Sequence, residues 1–170
     1  MKKEIFPKNR KIFKELIPFA QEIISLCQKN KIFPIIYGSF AHFYYTKDKD
    51  MNVNDLDLLI QKKDFTKARR LLEKNNIKFK YISEWMTIII KKEKLKVELD
   101  EVWPGYKKLK DSSMIETSKK INFYGIQTKI ITLKQLEEIY PEAYKRTKDN
   151  KIKIMKKIKH LEKFLGKKLI

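Results

Sequence analysis

The sequence predicts a single α/β (α+β) domain with a mixed central β-sheet, helices mostly on one face, and further helices at the C-terminus. Two observations lead to this fold class. Segments with apolar residues at spacings of three and four alternate with short apolar runs of strand length. The 170 residues, 42% of them hydrophobic, suffice for one domain with its own core. We expect a core over about residues 31–131, an N-terminal helix over 8–30 and C-terminal helices over 132–166.

In the first half of the chain, helical and strand-like patterns alternate. The first helical pattern contains Pro18, at which the helix can kink or divide. Asp64 is placed to cap the helix that follows the second strand. The predicted elements are a helix over 8–30, a strand over 33–37, a short helix over 40–46, a loop over 46–54, a strand over 56–61 and a helix over 64–75.

The second half predicts several strands and two closing helices. Gly125 is expected to turn a hairpin, and Thr132 with Gln135 forms a capping box at the start of the next helix. The last helix is expected to start at Asp149 and to end before Gly166. The predicted elements are strands over 77–82, 85–91 and 95–102, an irregular stretch over 104–120, a hairpin over 121–131, a helix over 132–141 and a helix over 149–165.

The formal net charge of +19 allows two interpretations. One is attraction to a polyanion such as RNA, DNA or nucleotide phosphates. The other is a solvated lysine surface that reflects the composition of an AT-rich genome. Lysine strongly outnumbers arginine, and arginine is the better bidentate reader of phosphates and bases, which favours the second interpretation. Both stay open.

Other bulk features predict a cytoplasmic protein. No run approaches the roughly 18 apolar residues of a membrane span, so we expect no membrane partner. The N-terminus is basic, but it lacks the uninterrupted apolar stretch of a signal peptide. The single cysteine, Cys27, cannot form an internal disulfide, which fits a reducing compartment. At an apolar helix position, Cys27 is expected to be a buried and inert thiol.

Acidic residues on two predicted strands are candidates for metal binding. Asp55 and Asp57 stand two apart in an apolar segment, so both carboxylates point to the same face of a strand. Two adjacent anions need a compensating cation, and carboxylate oxygens are the ligands that Mg²⁺ prefers. A third carboxylate is expected from a neighbouring strand, on which Glu98 and Asp100 share one face.

The dipeptide Gly38-Ser39 is a candidate phosphate site. It ends the first predicted strand where a helix begins, so free backbone N–H groups lie at the positive end of the helix dipole. Glycine permits close approach of a phosphate, and the Ser39 hydroxyl adds a hydrogen bond. A plain turn or a helix cap is the simpler interpretation of the pair.

Taken together and in order, these segments resemble the nucleotidyltransferase superfamily that includes DNA polymerase beta. The motif of that family is an apolar strand, Gly-Ser, Asp-x-Asp and an acidic residue on a later strand, and the resemblance covers about residues 33–102. Residues 121–136 look like the hairpin and helix start of small stand-alone members. Residues 144–149 look like the Arg-x-Lys-Asp helix start of lincosamide-, aminoglycoside- and abortive-infection-type members. The loop over 47–54 is longer than in the shortest members.

The resemblance implies residue roles that the motif alone would not. Asp55 and Asp57 would be catalytic and would bind metal, and Gly38 with Ser39 would bind the nucleotide. The family's third acid usually lies between two apolar residues, which favours Glu98, but aspartate is the commoner type, which favours Asp100. Both stay candidates for the catalytic and metal-binding position.

The resemblance also implies an activity. Two Mg²⁺ ions, or Mn²⁺ in their place, would support transfer of a nucleoside monophosphate, expected to be AMP, from a nucleoside triphosphate to an acceptor hydroxyl, with release of pyrophosphate. The acceptor would be a small molecule, an RNA end or a protein side chain. The alternative is a catalytically inactive binding module of the same fold, antitoxin-like or nucleic-acid-binding. The complete set of acids favours the enzyme.

Several further residues are expected to have structural roles. His42 is expected to be a packed or partly exposed histidine, and nothing near His160 in the sequence suggests a metal site. Trp85 and Trp103 are expected in the core or at a sheet edge, with Trp103 also placed to line a nucleotide pocket. Three charged residues stay open between packing the last helix and lining the cleft: Arg146, Lys148 and Asp149.

Overall fold

The computed structural model describes residues 5–101, 116–146 and 150–170. Within these ranges it contains five α-helices, seven strands and a short 3₁₀ turn. In chain order these are α1 (Arg10–Lys29), β1 (Ile35–Tyr37), α2 (Gly38–Thr46), β2 (Asp55–Ile60), α3 (Lys62–Lys74), β3 (Phe79–Ile82), the turn Ser83–Trp85, β4 (Thr87–Lys92), β5 (Leu95–Glu101), β6 (Lys119–Phe123), β7 (Ile126–Ile130), α4 (Leu133–Arg146) and α5 (Lys151–Leu165).

The seven strands form one mixed sheet in the order β3-β4-β5-β2-β1-β7-β6. β2 pairs parallel with β5 and antiparallel with β1, whereas β1 pairs parallel with β7. The predicted fold class, an α+β domain with a mixed central sheet, is therefore confirmed. The order also places β2, the Asp-x-Asp strand, between β1 and β5. The Gly-Ser turn and the later acidic strand are thus its two neighbours.

The hydrophobic core consists of the buried apolar side chains of the sheet and of the helices that pack on it. On β5, apolar and polar residues alternate, so Val97 and Leu99 are fully buried while Glu98 and Asp100 point the other way. On β2, Leu56 and Leu58 are buried in the same manner. α1 buries its apolar stripe against the sheet, including Cys27, which is 1% exposed. None of the helices in the described ranges is both long and apolar enough to cross a membrane.

Several element boundaries differ from the prediction. The run predicted as a strand over 85–91 begins as a 3₁₀ turn, because Met86 takes a left-handed backbone conformation (φ 47°) that ends the pleat before Thr87. Trp85 is consequently 58% exposed and is not a core residue. α3 begins at Lys62, so Asp64 lies in the first turn and not at the cap. A carboxylate there still favours the positive end of the helix dipole.

The helices tolerate proline better than predicted. α1 continues through Pro18, and α4 continues through Pro141 to Arg146, five residues past its predicted end. Buried Ile139 and Tyr140 anchor α4 immediately before Pro141, so packing outweighs the missing hydrogen bond. The capping box is confirmed: the Thr132 N–H donates to Gln135 Oε1 over 2.6 Å, and the Gln135 N–H donates to Thr132 Oγ1 over 3.2 Å.

Candidate active site

The predicted acids meet on one face of the sheet. Asp57 lies opposite Tyr37 of β1 on one side and opposite Glu98 of β5 on the other. Asp55 lies opposite Lys96 in the same parallel pairing. Because alternate residues of a strand face the same way, Asp55, Asp57 and Glu98 form an acidic patch on one face of the central strands.

Lys96 bridges two of these acids. Its ammonium nitrogen lies 2.8 Å from Asp55 Oδ2 and 2.9 Å from Glu98 Oε1. Burial by itself would lower the pKa of Lys96, but the hydrogen bonds to Asp55 and Glu98 raise it above its ordinary value. A cation thus already occupies the space between these two carboxylates.

Asp100 has a different environment from Glu98. One of its oxygens accepts a hydrogen bond from the Tyr37 hydroxyl, and the other accepts one from Thr87 Oγ1 over 2.5 Å. Burial raises the pKa of Asp100 to about 6, although these two hydrogen bonds act to lower it. Both oxygens are therefore engaged by neutral hydroxyl donors, whereas Glu98 is held by a cation shared with Asp55.

The pKa of Asp57 is raised more strongly than that of Asp100. The Asp57 pKa is raised to about 8, first by burial and then by the carboxylates of Asp55, Glu98 and Asp100. The ammonium of Lys157 acts in the opposite direction. Negative charge at Asp57 is thus undercompensated by the protein, which is the condition under which a bound divalent cation gains most.

In this arrangement the acidic side chains do not form a complete metal site. In the described part of the chain, no three histidine, cysteine, aspartate or glutamate side chains converge closely enough to hold a metal ion. The donor chemistry nevertheless fits Mg²⁺, since Asp55, Asp57 and Glu98 are oxygen ligands on one face. Lys96 would have to withdraw from Asp55 and Glu98 for all three to bind one site.

Gly38 is required by its contact with Asp57. A Cβ atom on Gly38 would lie 1.9 Å from Asp57 Oδ2, and the backbone of Gly38 is left-handed (φ 64°). Any other residue would therefore displace the carboxylate. The sequence predicts a glycine here for the close approach of a phosphate, and the structure adds the close approach of Asp57.

Ser39 lies at the start of α2 and contacts a lysine from the C-terminal helix. Lys157 Nζ donates to Ser39 Oγ over 2.8 Å. Burial lowers the pKa of Lys157, while Asp57 raises it and Lys153 lowers it further. No carboxylate within residues 5–101, 116–146 and 150–170 forms an ion pair with Lys157. A buried ammonium thus points at the α2 N-terminus, where backbone N–H groups also favour an anion.

These groups open into a cleft of about 380 Å³. Ser39 and Asp55 line it, and α5 contributes three lysines to its wall. They stand at helical spacings of three and four, so they share one face of α5: Lys153, Lys156 and Lys157. The cleft therefore has Asp55 of the acidic patch and a cationic wall among its lining.

A row of hydrogen-bonded side chains lies beside the same cleft. We call it the histidine chain, and it consists of Asp48, His160, His42 and Tyr140. His42 is 1% exposed and lies within hydrogen-bonding distance of both Tyr140 and His160, and His160 contacts Asp48. The expectation that His42 is a packed residue is thus confirmed, and His160 is its partner across the helices.

The comparisons with known proteins concern structure, not sequence. No protein-family model matches the sequence, and no curated protein matches it. Among the solved structures that align over most of the chain are the following three. An antigenic nucleotidyltransferase-like protein from Paracoccidioides brasiliensis is 14% identical, with 91% of this chain and 77% of that chain covered and a TM-score of 0.56. ANT(2″)-Ia, solved in complex with adenylyl-2″-tobramycin, is 10% identical, with 88% and 89% covered and a TM-score of 0.60. The lincosamide antibiotic adenylyltransferase LnuA, solved with lincomycin bound, is 12% identical, with 85% and 95% covered and a TM-score of 0.55.

The chain has the nucleotidyltransferase fold. The resemblance inferred from the Gly-Ser and Asp-x-Asp segments is confirmed at the level of fold. At these identities the likeness carries no residue roles, so the roles of Asp55, Asp57, Glu98 and Asp100 stay predictions that the geometry can support.

In this nucleotidyltransferase fold, sequence reasoning missed four residues around the acids. Lys96 shares the strand face of Glu98 and could have been found from the same alternation. Tyr37 lies in an apolar strand that gave no sign of a polar role, but its hydroxyl reaches Asp100. Thr87 and Lys157 gave no local signal, because only the sheet register and the packing of α5 bring them to the site. Trp103, Lys148 and Asp149 lie outside the described residues, as does the side chain of Arg146.

Proposed function

We propose that this chain is a metal-dependent nucleotidyltransferase that transfers a nucleoside monophosphate, AMP in our expectation, from a nucleoside triphosphate to an acceptor hydroxyl and releases pyrophosphate. One observation carries the proposal: three carboxylates on adjacent strands share a face beside a helix N-terminus that a buried lysine also approaches. Carboxylates alone would bind a cation, and the helix end alone would bind an anion. Because the two sites are adjacent, they suit a ligand that contains both a cation and an anion, namely a metal-bound polyphosphate.

Asp55, Asp57 and Glu98 would hold the metal. When bound, Mg²⁺, or Mn²⁺ in its place, would neutralise phosphate charge and lower the pKa of the acceptor hydroxyl. The raised pKa of Asp57, which burial and its acidic neighbours cause, supports its place at the centre of the cation site. Lys96 would keep Asp55 and Glu98 in position until the metal binds, and then withdraw.

Between the two candidates for the third acid, the geometry favours Glu98. Glu98 is in register with Asp57 and shares Lys96 with Asp55. Asp100 lies one register step further along, opposite Leu59, with both oxygens occupied by Tyr37 and Thr87. We assign Glu98 as the third ligand and Asp100 as a buried acid that fixes the strands around it.

The phosphates would bind on the other side of the cleft. Gly38 and Ser39 offer backbone N–H groups and a hydroxyl, and Lys157 adds a charge-assisted donor within hydrogen-bond distance of Ser39. Lys153 and Lys156 continue the cationic wall along α5. A triphosphate with its α-phosphate at the acids would thus extend along α5, where the departing pyrophosphate would be stabilised.

A thermal unfolding experiment tests nucleotide binding. Each of ATP, GTP, CTP and UTP is added to the protein with Mg²⁺ or with EDTA, and the melting temperature is recorded. We expect stabilisation in Mg²⁺ only, because binding to the native state alone raises its apparent stability. Asp57→Asn should abolish the shift, and the exposed Glu73→Gln on α3 should retain it. The absence of any nucleotide-dependent shift in wild type would refute the proposal.

A label-transfer experiment then tests catalysis. The wild-type protein is incubated with α-³²P-labelled ATP, Mg²⁺ and separate pools of small-molecule, RNA and protein acceptors, and the label is followed into each pool. We expect incorporation in one pool, dependent on Asp55 and Asp57. If nucleic acid binds with a steep salt dependence while no nucleotide does, the non-catalytic binding module is the better account.

A further inference from the structure

The histidine chain connects the rim of the cleft to the Gly38 turn. His160 Nε2 lies 3.1 Å from Asp48 Oδ2, and His160 Nδ1 lies 2.8 Å from His42 Nε2. His42 Nδ1 lies 3.1 Å from the Tyr140 hydroxyl, which in turn lies 3.4 Å from the carbonyl oxygen of Gly38. Every nitrogen of both rings therefore faces a hydrogen-bond partner, so the protons of the chain must be ordered.

With both histidines neutral, one order satisfies the contacts of all four ring nitrogens. The Asp48 carboxylate only accepts, so His160 carries its hydrogen on Nε2 and leaves Nδ1 bare. His42 must then donate from Nε2, which leaves its Nδ1 to accept from the Tyr140 hydroxyl. In this order the hydroxyl hydrogen of Tyr140 points at His42, and the Gly38 carbonyl receives no hydrogen bond from it.

One added proton reverses the order. Doubly protonated His160 donates from Nε2 to Asp48 and from Nδ1 to His42, so His42 Nε2 must become an acceptor. Neutral His42 then carries its hydrogen on Nδ1 and donates to the Tyr140 oxygen. The hydroxyl hydrogen of Tyr140 becomes free to donate to the Gly38 carbonyl. The histidine chain gains one proton in total, and each hydrogen bond between its members still contains one hydrogen atom.

The surroundings place the added charge on His160. The pKa of His42 is lowered to about 3, first by burial and then by the charges of His160 and Lys157, against the opposing effect of Asp48. The other charged groups that line the same cleft are two carboxylates and two lysines: Asp50, Asp55, Lys153 and Lys156. His160 therefore adds its charge to a cleft wall that already contains three lysines.

We propose that the histidine chain is a proton-linked positioning device, in which proton uptake at His160 reverses the hydrogen bonds as far as Gly38 and strengthens binding of a triphosphate in the cleft. The reversal follows from the geometry alone, whereas the identity of the ligand rests on the proposed function. The added charge attracts phosphate, and the Tyr140 hydroxyl fixes the Gly38 peptide that precedes Ser39. Asp48, His160, His42 and Tyr140 are positioning residues in this scheme.

Nitrogen-15 NMR tests the reversal in the free protein, where His42 and His160 are the only two histidines. We expect both rings as neutral Nε2–H tautomers near pH 8. On acidification, the step in which His160 gains its second proton should be accompanied by a change of His42 to the neutral Nδ1–H tautomer. Retention of the Nε2–H tautomer by His42 while His160 titrates would overturn the proposal, as would protonation of His42 itself.

A matched pair of tyrosine variants separates the chain from general packing. Tyr140→Phe removes the acceptor that His42 Nδ1–H needs in the protonated order, so the His160 titration should move to lower pH. Tyr45→Phe is the control, since the Tyr45 hydroxyl donates to the Ile131 carbonyl and takes no part in the chain. If His160 titrates at the same pH in both variants, its protonation is not coupled to the Tyr140 hydroxyl.

Calorimetric titration with ATP and Mg²⁺ tests the link to the ligand. Between about pH 8 and pH 6 the wild-type affinity should rise, by at most about tenfold per pH unit for one linked proton. His160→Asn should remove this pH dependence of the affinity. ATP itself titrates equally in experiments with both proteins, so its contribution cancels when they are compared. A wild-type slope equal to that of His160→Asn overturns the link. Absence of ATP binding at every pH overturns both the proposed function and the link, while the NMR titration still decides the reversal.

Discussion

The carboxylate of Asp57 lies directly against Gly38, where a Cβ atom would come within 1.9 Å of Asp57 Oδ2. The two halves of the family motif are thus in physical contact, since Gly38 begins α2 and Asp57 lies on the neighbouring strand. The Gly38 turn and the acidic patch therefore cannot be altered independently at this point.

Gly38→Ala tests this contact. The added methyl group should displace the Asp57 carboxylate and lower the affinity for ATP in Mg²⁺ more than about tenfold, equivalent to about 1.4 kcal/mol. Calorimetric titration measures it. Gly125→Ala is the matched control, because Gly125 is also left-handed (φ 102°) but has no atom within 4 Å of an added Cβ. Equal loss of affinity in both variants would show that backbone strain, and not the contact, is responsible.

Asp57→Asn should stabilise the metal-free protein while abolishing its metal-dependent binding. The folded-state pKa of Asp57 is raised above 3.8 to about 8, so its ionisation opposes folding increasingly as the pH rises between these values. In EDTA, the melting temperature of Asp57→Asn should exceed that of wild type by more at pH 8 than at pH 5, at about 2–4 °C for each kcal/mol. A lower melting temperature for the variant at pH 8 would contradict the stated origin of this pKa.

Glu98→Gln and Asp100→Asn should have different effects. Glu98→Gln should remove most of the Mg²⁺-dependent affinity for ATP and leave the melting temperature nearly unchanged. Asp100→Asn turns an amide donor toward Tyr37 or Thr87, so it should cost about 1–3 kcal/mol of stability and retain measurable ATP binding. Unfolding and titration of both variants distinguish them, and the opposite pattern would assign the third ligand to Asp100.

Lys157→Met should weaken triphosphate binding without unfolding the protein. A charge-assisted hydrogen bond contributes about 1.5–3 kcal/mol, which corresponds to roughly a tenfold to hundredfold loss of affinity for ATP. Methionine retains the packing of the side chain against the Tyr140 ring, which the Lys157 nitrogen approaches to 5.8 Å. Lys163→Met on the exposed side of the same helix is the control. Similar affinities in the two variants would remove Lys157 from the phosphate site.

The sequence predicted the parts of the site that local patterns encode. Alternation on β2 and β5 placed Asp55, Asp57, Glu98 and Asp100 on a common face, and the strand-to-helix turn identified Gly38 and Ser39. Local patterns do not specify register. The choice between Glu98 and Asp100 therefore stays a proposal, and it rests on the pairing of Asp57 with Glu98.

Residues that reach the site through tertiary packing had no signal in the sequence. Lys157 and His160 are separated from Ser39 and His42 by 118 positions each, and they meet these partners only because α5 packs beside α2. Met86 shows the same limit for secondary structure, since its left-handed conformation ended a strand that the apolar pattern extended to Trp85. Pro141 is the converse case, because packing carried α4 past a residue that ends most helices.

A crystal structure with Mn²⁺ and a non-hydrolysable ATP analogue tests the central claim most directly. We predict an anomalous scattering peak bounded by Asp55, Asp57 and Glu98, with the Lys96 ammonium withdrawn from Asp55. The triphosphate should contact Ser39 and Lys157. A nucleotide bound elsewhere on the chain, or Mn²⁺ bound away from these three carboxylates, would contradict the assignment of this cleft as a nucleotidyltransferase site.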